Sequence, residues 1–254
     1  MRWRQVVPTT FTMLAMLAGF LSMLVTVEGM RTGNSHRYLQ AAQLIMLAMI
    51  LDGLDGNVAR LLHGLSEFGS ELDTYVDLTA FGISPALLIF AVTLQGEPIW
   101  RVILPSAVAL SGVVRLARFK VKDPLRGQGG YAGLPITANA AWVATFVYIS
   151  ESPPRESFSL NHGRVAALFL TGIMLFIILQ VTNFRYPKPT KKAYMFIPCM
   201  VLVGLFLWPN RRVAVAAAIV MIALGLAYIV FGPLFVRSVA AHKARKEARA
   251  NRLP

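Results

Sequence analysis

The chain has 254 residues, 56% of them hydrophobic and only 15% charged, with a mean hydropathy of +0.59. Soluble domains carry roughly 25% charged residues, so this composition excludes an ordinary soluble domain and points to several membrane spans. The formal charge of +13 does not signal nucleic acid, because Lys and Arg fall between apolar runs without stacking aromatics or groove-reading elements.

Juxtamembrane cations facing anionic lipid heads account for the basic excess. Cys199 is the single cysteine, which excludes an internal disulfide and a thiolate metal cluster. The amino terminus, Met1-Arg-Trp-Arg followed by an apolar stretch from Phe11 to Val27, imitates a secretory signal. Its apolar part exceeds the roughly 7–15 residues of a signal and no A-x-A-like site follows, so it reads as a retained first span.

Eight apolar runs are long enough to be candidate crossings of about 30 Å of hydrocarbon. They cover approximately 8–28, 37–62, 68–94, 99–119, 133–150, 163–182, 194–208 and 213–236. The seventh is short and contains Pro198, so six spans plus a re-entrant segment is the alternative count. The expected fold class is all-α: a polytopic membrane helical bundle of about eight transmembrane helices. Spans use so much of the chain that residues 1–254 read as one membrane-embedded domain.

Lys and Arg set the orientation by the positive-inside rule. With the amino terminus in the cytoplasm, sixteen fall on the cytoplasmic side: Arg2 and Arg4, a group from Arg118 to Arg126, another from Arg185 to Lys192, and six from Arg237 to Arg252. The opposite side receives seven, and Arg60 and Arg115 stay within spans. This asymmetry places both termini in the cytoplasm. The tail from Arg237 to Pro254 reads as a basic helix beside the lipid surface. His36, His63, His162 and His242 are scattered without ligand spacing. The stretch 127–130 lacks the Lys-Ser/Thr of a phosphate loop and reads as a cytoplasmic linker.

A carboxylate inside a span is costly and marks function by default. Spans two and three hold four: Asp52 and Asp55, three apart, and Asp73 and Asp77, four apart. On a helix each pair projects from one face. The turn falls near His63-Gly64, and Asp55 and Asp73 stand nine residues either side of Gly64. Folded back as an antiparallel hairpin, the helices bring the four acids level, roughly 14–20 Å along the axes from the turn.

Four such carboxylates in low dielectric need protons or cations. Two hard divalent ions, Mg²⁺ or Mn²⁺, suit all-oxygen ligands and displacement at phosphorus. Gly53, Gly56, Ala59 and Gly69 strip side chains from the same region, which lets a ligand approach backbone; close helix packing is the alternative reading. Arg60 either snorkels to the interface or meets a phosphate.

Asp52 to Asp77 follow the pattern D-x-x-D-G-x-x-A-R-x8-G-x3-D-x3-D. This resembles the signature of the CDP-alcohol phosphatidyltransferase family. Phe68-Gly-Ser-Glu-Leu-Asp73, Phe81-Gly-Ile-Ser-Pro85, Arg115-Leu-Ala-Arg-Phe119 and Gly133-Leu-Pro135 are similar to segments of its phosphatidylserine synthase branch. Departures stand at Thr74-Tyr75, Lys120, Thr9 and Ala15. The resemblance implies a six-helix core over about 1–192, with two extra helices and the basic tail over 193–254.

It further implies that Asp52, Asp55 and Asp73 are metal ligands, with Asp77 the general base that also touches a metal. Gly56, Ala59 and Gly69 become the cytidine-side wall, and Arg60 lies near the pyrophosphate. The implied reaction is CDP-diacylglycerol plus L-serine giving phosphatidylserine and CMP at the cytoplasmic face of the cell membrane. Arg115, Arg118 and Lys120 are candidates for the serine carboxylate or lipid phosphate, since guanidinium binds either bidentately; Arg185 and Tyr186 are weaker ones. A sister transferase acting on inositol phosphate, glycerol phosphate or choline stays open. So do a divalent-cation transporter and assembly as a homodimer.

Overall fold

The computed structural model describes residues 3–93, 98–121, 131–152, 160, 163–186 and 193–250. The linker at 127–130, Arg2, Lys122, Arg126, Arg155, His162, Lys188, Lys191, Lys192 and Arg252 lie outside the described residues. The helices are α1 (Trp3–Thr32), α2 (His36–Leu61), α3 (Glu67–Val76), α4 (Ser84–Val92), α5 (Pro98–Val121), α6 (Ile136–Ser150), α7 (Gly163–Val181), α8 (Ala193–Phe206) and α9 (Arg211–Ala250). A π-helical stretch, Asp77–Ile83, joins α3 to α4 without a break, so the described helices number eight in sequence.

Among the described residues, five stretches are long and apolar enough to cross a membrane: α1, the run Glu67–Val92, Arg101–Lys120 in α5, α7, and Arg211–Pro233 in α9. Helix α6 and the segment Ile197–Phe206 of α8 are apolar but shorter. Helix α2 has 26 residues, yet Asp52, Asp55 and Arg60 interrupt its second half. The chain is thus an integral membrane protein. Helix α8 continues through Pro198. At about 1.5 Å per residue it is shorter than the hydrocarbon core is thick.

Small residues explain how closely the helices approach. Ala15, Ala18, Gly19 and Ser22 of α1 are buried, as are Ala41, Ala42 and Ala48 of α2. A Cβ added at Gly19 would stand 2.6 Å from Ala80 Cβ in the π stretch. Lipid supplies no hydrophobic drive between helices, so such contacts and polar bridges hold the bundle. Ser22 Oγ donates to Ala41 O at 2.9 Å, and Ser84 Oγ donates to Ser22 Oγ at 3.0 Å. The outward face of α1, with Leu14, Leu17, Phe20, Leu21 and Leu24, is exposed, as a lipid-facing surface must be.

Helix α6 is the central post, buried along almost its whole length. Its Trp142 stacks between Phe146, at 4.5 Å, and Phe176, at 5.2 Å. Gly172 of α7 lies flat against that ring, where a Cβ would fall 2.3 Å from Trp142 Cζ2.

Among the described residues, a short two-stranded ribbon interrupts the helices. It pairs β1 (Tyr131–Ala132) with β2 (Arg185–Tyr186) in antiparallel register, Tyr131 opposite Tyr186. The chain enters α6 where it leaves α7, so the two connections meet. Gly133 adopts φ +78° and a Cβ there would lie 2.6 Å from the Gln180 carbonyl oxygen. Its N–H donates to Phe184 O at 2.8 Å, which seals the junction. Tyr186 is buried, with its ring 5.5 Å from that of Tyr228 in α9.

Candidate active site

The turn between α2 and α3 fixes the acids' relative height. Helix α2 closes with Leu62 N–H on Val58 O and Gly64 N–H on Ala59 O, both at 2.9 Å, while His63 takes φ +50°. Gly64 slides beneath the start of α1, where a Cβ would fall 1.9 Å from the Arg4 carbonyl oxygen. Only glycine fits that approach. Ser66 then caps α3, its Oγ accepting from Gly69 N–H at 3.0 Å.

Asp52 and Asp55 on α2 and Asp73 on α3 each place a carboxylate oxygen so that all three lie within 4.8 Å of one another. Asp77 opens the π stretch and lines the same cavity. Single π turns inside helices frequently stand at functional sites. Here the widened turn runs on through Ala80, against Gly19 of α1, and Gly82, beside Gly112 of α5.

Two lobes meet at these acids. The smaller, about 190 Å³, is lined by Thr12 of α1 with Gly56, Ala59, Ser66 and Gly69, besides Asp55 and Asp73. The larger, about 450 Å³, contains Asp52, Asp55, Asp73 and Asp77, with Arg60, Arg115 and Thr137 on its walls. Four acids against two guanidiniums leave carboxyls in excess at the seam between the lobes, to be neutralised by protons or cations. Three clustered carboxylate oxygens from two rigid helices fit a hard divalent cation, whose preferred ligands are oxygens.

The sequence profile described as CDP-alcohol phosphatidyltransferase matches residues 5–182. The chain belongs to the CDP-alcohol phosphatidyltransferase family. It is 30% identical to a CDP-diacylglycerol–serine O-phosphatidyltransferase of Helicobacter pylori over 200 residues, 79% of each chain. It is 31% identical over 185 residues to the Methanocaldococcus jannaschii protein of that name, covering 71% of this chain and 82% of that one. With the Saccharomyces cerevisiae one it shares 38% over 144 residues, 54% of this chain and 51% of the other.

The three cationic candidates of this phosphatidyltransferase separate. Arg115 is 6% exposed, lines the larger lobe, and stacks its guanidinium carbon 4.9 Å from the Phe119 ring centroid. Arg118 instead donates to Val181 O and Asn183 Oδ1, tying α5 to the end of α7. Lys120 pairs with Glu71 and sits 5.7 Å from the Tyr75 ring on the outer face of α3. Neither Arg118 nor Lys120 is among the cavity-lining residues. Spacing does not separate Arg115 from Arg118, which are three apart on one side of α5; their partners do, the Val181 carbonyl and Asn183 drawing Arg118 to the end of α7.

Two site residues escaped sequence reasoning. Thr12 Oγ1 donates to Asp55 Oδ2 at 2.6 Å, and Thr12 is 4% exposed. Nothing local distinguishes it from Thr9 and Thr10, since all three stand within hydrogen-bond reach of the carbonyl four residues earlier, Thr12 at 3.1 Å from Pro8 O. Asn57 donates from Nδ2 to Gly53 O at 2.7 Å and accepts from Arg60 NH2 at 2.9 Å, holding the guanidinium at the larger lobe.

Proposed function

We propose that this phosphatidyltransferase moves the phosphatidyl group of CDP-diacylglycerol onto L-serine, releasing CMP. The observation that carries the chemistry is the meeting of Asp52, Asp55 and Asp73 within 4.8 Å at the junction of two lobes. The relatives' names support serine as acceptor.

In this reading Asp52, Asp55 and Asp73, with Asp77 beside them, hold two divalent ions, Mn²⁺ or Mg²⁺. When bound, such ions offset charge on the phosphates and stabilise the attacking and leaving oxygens. Gly56, Ala59 and Gly69 form the bare wall of the smaller lobe, which admits the flat cytosine and its ribose. Arg60, braced by Asn57, faces the pyrophosphate. Arg115 meets the acceptor's carboxylate or the lipid-side phosphate across the larger lobe.

Asp77 takes the proton from the serine hydroxyl, which is too weak an acid to react unaided at neutral pH. The oxygen then attacks the lipid-side phosphorus. The bond from that phosphorus to the bridging oxygen breaks, and CMP leaves with the electron pair. One base suffices, and no covalent enzyme intermediate is required.

The whole chain acts as one domain of about eight membrane helices, with the core over about 1–192 and the added helices and basic tail over 193–254. Sixteen cations against seven put both termini and the site on the cytoplasmic face of the cell membrane. The deciding experiment supplies purified protein with CDP-diacylglycerol, Mn²⁺ or Mg²⁺, and each alcohol separately. CMP release with L-serine is expected. Release only with inositol phosphate, glycerol phosphate or choline would assign a sister activity.

A further inference from the structure

The larger lobe is not polar throughout. Moving along α2 away from the α2–α3 turn, the wall changes from Asn57, Gly53 and Asp52 to Ile50 and Met49, about one helical turn beyond the acids. The facing wall comes from α8, which contributes Cys199, Met200 and Val203. Three and four residues apart, these side chains share one face of α8.

The two helices run antiparallel along this seam. Gln43 Nε2 of α2 donates to Phe206 O of α8 at 3.3 Å and pins its far end. Cys199 stands at the end nearer the carboxylates. Helix α8 packs mainly on α9 and touches α2 lightly, so it flanks the cavity without sealing it. Its Ile197 and Val201 are 60% and 56% exposed, which carries the apolar surface outward from the lobe.

The smaller lobe lacks a comparable apolar run along one helix face. Its walls are Thr12, Ser66, Ser70, glycines and Asp55, with Pro8, Ala59 and Leu65 as scattered apolar members. A molecule with one polar end and long hydrocarbon chains therefore finds its longest continuous apolar wall along α2 and α8.

We propose that the seam between α2 and α8 is an acyl-chain exit, through which hydrocarbon of the nucleotide-activated lipid passes from the acids into the bilayer. This rests on the phosphatidyl-transfer reading, and it gives α8, which lies beyond the family match at residues 5–182, a place in substrate binding. Burying methylenes against Met49, Ile50, Met200 and Val203 rewards a lipid over a soluble nucleotide, since each CH₂ removed from water contributes about 0.8 kcal/mol.

Cys199 is exposed and is the chain's only thiol, so the unaltered protein carries its own reporter at the mouth of the seam. The experiment measures N-ethylmaleimide labelling of Cys199 in purified protein with Mn²⁺, with or without dioleoyl CDP-diacylglycerol, CDP or CDP-glycerol. CMP release from the same preparation is followed in parallel. At about ten times its dissociation constant the lipid fills some nine-tenths of the sites, so labelling should slow about tenfold. CDP and CDP-glycerol, which lack acyl chains, should leave the rate near that of the free protein.

Equal protection by CDP would overturn the exit, because headgroup occupancy alone would then cover the thiol. Unchanged labelling in a preparation that turns over lipid would overturn it as well. A thiol that never reacts would mean a closed seam, and a closed seam is no exit. A preparation that labels normally but releases no CMP with any alcohol would instead remove the phosphatidyl-transfer reading, and the exit with it.

Discussion

Thr12→Val tests how far the site depends on a helix outside the acidic motif. The change keeps the branched shape and removes one hydroxyl, whose hydrogen bond to Asp55 Oδ2 spans 2.6 Å in a buried setting. A hydrogen bond to a charged group contributes about 1.5–3 kcal/mol, and removing the donor leaves that oxygen without it. Groups that orient metal ligands typically alter metal affinity by about 10–100-fold, which corresponds to a similar free energy. The variant should therefore bind Mn²⁺ about 10–100-fold more weakly, while folding and CDP-lipid extraction stay near those of the parent.

Two measurements check this. Titration of free Mn²⁺ by electron paramagnetic resonance gives the affinity directly, and the Mn²⁺ dependence of CMP release gives the activation constant. Both should shift together, and Thr12→Ser should restore both. An affinity within about twofold of the parent, well under the 1.4 kcal/mol that a tenfold change represents, would refute the reasoning. So would a Ser variant as weak as Val, since that would point to packing and not to the hydroxyl.

Asp77→Asn should lower CMP release by about 10²–10⁴-fold, the usual contribution of a general base, while CDP-lipid binding persists. Near-normal turnover would remove Asp77 from that role. Chelation with EDTA should abolish turnover, and added Mn²⁺ or Mg²⁺ should restore it; activity that survives exhaustive chelation would argue against the cation-dependent scheme. Lys120→Ala should leave turnover unchanged, because its ion pair with Glu71 is exposed and worth about 0–1 kcal/mol. A large rise in the serine KM would place Lys120 at the acceptor after all. Gly172→Ala should destabilise the bundle by about 1–3 kcal/mol, read as a lower Tm in detergent, because Trp142 is wedged between Phe146 and Phe176 and cannot swing aside.

Much of the architecture is legible without coordinates because bilayer thickness imposes a length scale on apolar runs. The eight expected runs correspond to α1, α2, the α3–π–α4 run, α5, α6, α7, α8 and α9, with ends differing by a few residues except that α9 continues from the expected end at 236 to Ala250. The levelling of Asp52, Asp55 and Asp73 follows from equal counting on either side of Gly64 along two helices of fixed rise. The π stretch beginning at Asp77 is different. It packs closely against Gly19 of α1 and near Gly112 of α5, and no spacing within residues 73–83 announces that.

Local order therefore settled what depends on neighbours along the chain: the helices and the acidic hairpin. Contacts between distant segments decided the rest. Thr12 reaches Asp55 across 43 positions, Arg115 turns into the cavity while Arg118 turns to α7, and α8 closes a wall begun by α2. In a chain apolar on nearly every face, periodicity cannot say which side of a helix meets which partner. That choice is made by close packing of small residues and by the few polar groups that must find one another away from water.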